Sequence, residues 1–196
     1  MKKFFALFLA AMMALCAVSA FAEAPAAVEA ADDGEFPEYP IGPDDPDYDN
    51  ETVVDFMNIS AVYFQPVDMA PVDQATAKEN TDLHIEVDLT ANENGYAFPV
   101  DQWVPYLTID YVIKDTEGKE VTSGSMMPMA ASDGPHYGNN IKLADGEYSI
   151  TLYIKSPAEN GYLLHVDSET GVDAKDGFWT EPLEATWTGW KFVKQW

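Results

Sequence analysis

Three histidines occur in 196 residues, His84, His136 and His165, and each stands beside groups that can share a metal ion with it. His84 and Glu86 lie two apart in Leu83-His84-Ile85-Glu86-Val87-Asp88-Leu89, where apolar and polar residues alternate without a break. On a strand, that spacing turns both side chains to one face with their Cα atoms roughly 6.5 Å apart, close enough to meet on one ion. Alternating polar residues on a solvated sheet face have the same pattern. His136 closes a second stretch, Met126-Met127-Pro128-Met129-Ala130-Ala131-Ser132-Asp133-Gly134-Pro135-His136-Tyr137-Gly138, which joins a methionine cluster, an acid, a Gly-Pro turn and a histidine. Thioether sulfur is soft and suits copper, above all Cu(I), while imidazole accepts either copper oxidation state and zinc. Methionines filling a core, and a loop histidine capping a carbonyl, account for the same residues. His165 sits in Leu163-Leu164-His165-Val166-Asp167, read here as a strand. Asp167 shares its face and could bind the metal or the second ring nitrogen. Spread over strand, loop and strand, the three histidines could converge in a way that no local stretch allows.

Other chemistries lack their residues. There is no nucleophile elbow with a histidine triad, no phosphate loop, no Gly-x-Gly-x-x-Gly and no two-histidine zinc-protease helix. Asp and Glu are numerous enough for a glycosidase pair, but nothing singles one out. Trp103, Tyr106, Trp179, Trp187, Trp190 and Trp196 could form a sugar-stacking platform or serve as core and edge residues.

The elements that must position these groups follow from periodicity. Residues 1–22 have the layout of a cleaved secretory signal: Lys2 and Lys3, an apolar run from Phe4 to Val18, then Ala20-Phe21-Ala22. The only cysteine, Cys16, falls inside that run. A mature chain without cysteine excludes disulfides, thiolate zinc sites and a blue-copper centre. Residues 23–50 are rich in Ala, Pro and acid and read as a linker or extended wrap, with Phe36, Tyr39 and Tyr48 docking its later half. Residues 51–196 form one domain. Strands are predicted at Val53 to Phe64, Leu83 to Leu89, Tyr106 to Lys114, Tyr148 to Lys155, Tyr162 to Val166 and Thr186 to Val193. Turn signals such as Asp115-Thr116-Glu117-Gly118, Asp145-Gly146 and Asn160-Gly161 separate them. With no helical stripe and no internal repeat, the expected fold is all-β, an immunoglobulin-like antiparallel β-sandwich.

Charge narrows the partners. Ten lysines and no arginine face 34 acids, for a net charge of -24. Such a chain repels nucleic acid and anionic lipid and attracts cations; acidity also keeps an exported protein soluble. No stretch after the signal approaches the ~20 apolar residues of a membrane span, so no membrane insertion is expected.

Four ordered motifs go further than spacing: Ala61-Val62-Tyr63-Phe64-Gln65-Pro66-Val67-Asp68-Met69, Asp82-Leu83-His84-Ile85-Glu86-Val87-Asp88, Trp103-Val104-Pro105-Tyr106-Leu107-Thr108, and the segment Met127 to Gly138. Together they closely resemble the periplasmic iron-transport protein family, and Tyr39-Pro40-Ile41-Gly42 looks like that family's mature start. The likeness is dense over about residues 60 to 166 and thins to Thr170-Gly171-Val172 and a late tryptophan. It implies an acidic, copper-binding, immunoglobulin-like homodimer in the periplasm that serves a membrane iron permease. It also implies His84, Met129, His136 and His165 as copper ligands, Glu86 as an added oxygen ligand favouring Cu(II), and Asp133 beside the site. One ligand could cross from the partner. A second, oxygen-rich spot near Glu86 and Asp133 could take iron, and zinc could substitute at the imidazoles. No enzymatic activity is expected, oxidation of Fe(II) being the one turnover worth assaying. Two readings compete: a periplasmic copper or zinc buffer, and an adhesion or sugar-binding sandwich with incidental histidines.

Overall fold

A computed structural model describes residues 37–196. The expected signal segment with Cys16, the start of the acidic segment and Phe36 lie outside the described residues. Among the described residues nine strands follow in order: β1 (Tyr39–Pro40), β2 (Thr52–Val54), β3 (Met57–Phe64), β4 (Leu83–Ala91), β5 (Thr108–Asp115), β6 (Glu120–Ala130), β7 (Pro135–Ile141), β8 (Gly146–Lys155) and β9 (Leu183–Phe192). They form one continuous antiparallel sheet in the order β1-β3-β4-β7-β6-β5-β8-β9, with β2 on the β1 side of β3. No helix among the described residues is long and apolar enough to cross a membrane.

A sheet this long must curl to bury one face, and the curl happens along β6. Val121 lies in its first part, which pairs with β5 up to Met126, while Met127 to Ala130 pair with β7. One strand thus belongs to both layers, and the chain closes into the immunoglobulin-like β-sandwich. Alternation fills the core. Leu83, Ile85, Val87 and Leu89 of β4 meet Ile109, Tyr111 and Ile113 of β5 and Ile150, Leu152 and Ile154 of β8 in one buried cluster. In β9 a register irregularity opposite Tyr148 to Ile150, with Gly189 at φ 71°, resets the pleat. Trp187 and Trp190, three apart, therefore both point inward, which strict alternation forbids. These two tryptophans are core, so the tryptophan set does not make an open stacking platform.

Residues 37–50 pack on the sandwich. β1 adds to β3, Ile41 is fully buried, and the Trp187 indole N–H donates to the Asn50 carbonyl at 2.7 Å.

Three expectations are corrected. Val53 to Phe64 is not one strand but a hairpin, broken where Asp55 takes φ 55°. Met126 to Gly138 is not a loop: most of it lies on β6 and β7, and the Ser, Gly and Pro residues of these strands hide their periodicity. Tyr162 to Val166 is not a strand. β8 already has β5 on one side and β9 on the other, so the run beside it finds no open edge. Its backbone closes a loop instead, with Val172 N–H donating to the His165 carbonyl at 2.7 Å and Gly171 N–H to that of Asp167 at 3.2 Å.

Candidate metal centre

The register of three strands assembles the site. Directly opposed residues of an antiparallel pair share a face. β4 and β7 pair His84 with Asn140 and Glu86 with Gly138, and β7 and β6 pair Gly138 with Met127 and His136 with Met129. His84, Glu86, Gly138, His136 and Met129 therefore occupy one patch on the face of the sheet opposite the core. β3 extends it, with Phe64 opposite His84 and the two rings 5.0 Å apart.

An outer sheet face is ordinarily wet, yet His84, Glu86 and His136 are only 1%, 5% and 4% exposed. The segment after β3 contributes to this cover: Asn140 donates from its amide to the carbonyls of Val67 at 2.7 Å and Thr76 at 2.9 Å. The two imidazoles meet edge to face at 6.3 Å, and His136 Nδ1 lies 3.4 Å from Glu86 Oε1. His84, Glu86 and His136 bring one ligand atom each within 4.8 Å of one another.

Burial sets the charges. It lowers His84 from 6.5 to about 4 and lowers His136, for which Asp88 and Asp133 act in the opposite direction. It raises Glu86 from 4.5 to about 8, helped by Asp88, Asp133 and Glu38. At neutral pH the metal-free site thus holds two neutral imidazoles and a protonated carboxyl, so lone pairs rather than charges face its interior.

A metal fits this arrangement on two observations. His84 Nε2 is buried without any hydrogen-bond partner, a costly state for a polar nitrogen unless something else binds it. Gly138 provides its space: a Cβ there would stand 2.6 Å from His84 Nε2. Two imidazoles and a thioether, borderline and soft, with one hard carboxylate, are a mixed set that suits copper.

The other residues named from sequence divide. Asp133 sits in the turn between β6 and β7, exposed, where it joins Glu38 and Glu86 in a second group with ligand atoms within 4.8 Å. Glu86 belongs to both groups. His165 joins neither: it lies on the loop, its side chain 74% exposed, with Nε2 2.6 Å from Asp167 Oδ2. Glu38, Gly138 and Asn140 were missed from sequence. A glycine inside His-Tyr-Gly-Asn-Asn marks a close approach and could have been found; one acid among 34 carries no such signal.

An antiparallel sandwich with a buried histidine and carboxylate cluster on its outer face defines a class of metal-binding protein. The Fe2+ transport protein family model matches residues 35–194, and the chain belongs to that family. It is 40% identical over 157 residues to the 34 kDa membrane antigen of Treponema pallidum, covering 78% of this chain and 72% of that protein. The UPF0423 protein of Brucella abortus is 40% identical over 134 residues, with 66% and 71% covered. Among solved structures, a copper-bound variant of Campylobacter jejuni P19 is 38% identical with TM-score 0.69, covering 80% of this chain and 98% of that one. A copper-bound variant of FetP from uropathogenic Escherichia coli is 38% identical with TM-score 0.70, covering 82% and 100%.

Proposed function

We propose that this is a periplasmic copper- and iron-binding protein that captures metal and supports iron uptake through a membrane permease. The observation that carries the reading is the buried, unpartnered His84 Nε2 facing the glycine-made space beside Glu86 and His136. Family membership supports the iron-uptake role, and the copper-bound state of P19 and FetP supports the metal.

His84, His136 and Met129 would hold copper, with Glu86 as an oxygen ligand. Bound copper would supply a Cu(II)/Cu(I) couple. The chain's own residues do the rest: burial keeps both imidazoles neutral and ready to donate, and Glu86 gives up its proton when a cation arrives. Glu38, Glu86 and Asp133 offer a hard, all-oxygen set that suits iron, and Glu86 links the two groups. Zinc would compete for the imidazoles.

His165 reaches a site only if a second copy brings it. Around it Leu163 is 86% and Val166 44% exposed, an apolar setting suited to burial against another chain and consistent with a homodimer. No turnover is required by this reading. A Cu(II) titration of wild type and of His136→Ala tests the copper reading: one tight copper per chain is expected, lost in the variant, and unchanged stoichiometry would sink the assignment. Growth of a deletion strain under iron limitation tests transport, because a pure copper or zinc buffer would leave iron uptake intact.

A further inference from the structure

Asn140 stands opposite His84 in the β4–β7 ladder and is 2% exposed. Every polar atom of its side chain is engaged. The amide nitrogen donates to the Val67 carbonyl at 2.7 Å and the Thr76 carbonyl at 2.9 Å, and the oxygen accepts from Val67 N–H at 3.2 Å. His84 Nδ1 lies 2.9 Å from the same oxygen.

These partners fix which way the amide points. Turned over, it would set its oxygen against two carbonyls and its N–H2 against the Val67 N–H, losing three bonds at once in a buried place. With the oxygen so fixed, His84 Nδ1 can only donate to it. The proton is therefore on Nδ1, and the lone pair is on Nε2, the atom beside Gly138 that has no partner.

We infer that Asn140 is a positioning residue of the metal centre: anchored by the backbone at Val67 and Thr76, it holds His84 as the Nδ1–H tautomer, with the Nε2 lone pair ready in the metal-free protein. The inference rests on the metal-site reading and extends the site to the segment between β3 and β4, which is tied to His84 through this amide. A metal-binding histidine commonly donates its other N–H to a fixed acceptor, and loss of such an acceptor costs 10- to 100-fold in affinity.

The test is long-range 15N–1H correlation NMR on the metal-free mature chain at pH 7, beside Cu(II) titration of the same samples. For wild type, His84 should show a pyrrole-type Nδ1 and a pyridine-type Nε2; a proton on Nε2, or an averaged pair, overturns the inference. Asn140→Ala should mix the tautomers and weaken copper about 10- to 100-fold. Asn140→Asp keeps an acceptor for His84 Nδ1 and Val67 N–H but has no donor for the two carbonyls. It should restore the tautomer; a merely structural asparagine would not be rescued by this change. Should Asn140→Ala fail to fold, the wild-type spectrum and Asn140→Asp still decide. Copper binding with a proton on Nε2 would remove this inference alone, whereas the Nδ1–H tautomer without copper binding would remove the metal reading.

Discussion

The patch around His84 and the loop around His165 both present a histidine beside a carboxylate, yet they are built in opposite ways. In the patch, strand register sets each side chain, burial strips water from it, and the pKa values of Glu86 and both histidines are displaced by that burial. In the loop, Asp167 is the organiser. It accepts from Glu169 N–H at 2.8 Å, Thr170 N–H at 3.0 Å and the Thr170 hydroxyl at 2.8 Å, which holds its carboxyl below the usual range, and His165 stays in water. The difference teaches that a sheet can preorganise ligands within one chain, whereas a loop histidine acts on a distant site only when another surface meets it.

The sharpest way to break this contrast is to remove a ligand from each region. His84→Ala should weaken Cu(II) by more than about 100-fold, beyond what loss of an outer hydrogen bond causes. His165→Ala should leave the stability of the monomer within about 0.5 kcal/mol. Its effect on copper should appear only at protein concentrations where the chain self-associates, as read by titrations across a dilution series. Equal losses for His165→Ala at every concentration would place His165 in the site of its own chain and erase the contrast.

A smaller but more local effect is expected at Gly138. Gly138→Ala adds a methyl group 2.6 Å from His84 Nε2, so the ring must move. A destabilisation of about 1–3 kcal/mol by urea unfolding is expected, with weakened copper binding. The same change at Gly118, where an added Cβ meets nothing within 4 Å, carries only the strain of φ 80° and should leave copper untouched.

The smallest effect is on pH. Glu86 has a folded pKa of about 8 against an ordinary 4.5, so the folded chain holds a proton that the unfolded chain has released. Its stabilising contribution is intact below about 4.5 and is lost as pH rises towards 8. His84, lowered from 6.5 to about 4, works the other way: its contribution is present above 6.5 and lost as pH falls towards 4. The two oppose each other between these ranges. From pH 6.5 to 8 the Glu86 effect is the larger of the two, so the metal-free protein should lose stability there, and Glu86→Gln should flatten that slope in denaturant titrations.

Sequence and structure agree where chemistry is written in alternation. β4 was legible because every second residue from Leu83 to Leu89 is apolar, and that pattern already put His84 and Glu86 on one face. His136 stood out as one of three histidines, but Met129 as its neighbour came from motif likeness, since Pro128, Gly134 and Pro135 interrupt any period and only the register of β6 with β7 shows the two residues opposed. His165 was misread as a strand residue because the short run Leu164 to Asp167 alternates, whereas β8, the strand that precedes it, is already paired on both sides. Asn140 and Glu38 could not be read at all: their importance lies in what other segments bring to them.

X-ray absorption at the copper edge of the Cu(I)-loaded mature protein tests the central claim most directly. Imidazole scattering together with one sulfur neighbour is expected, the sulfur vanishing in Met129→Leu and one imidazole vanishing in His136→Ala. A spectrum of light scatterers only, unchanged in both variants, would place the copper elsewhere and contradict the account.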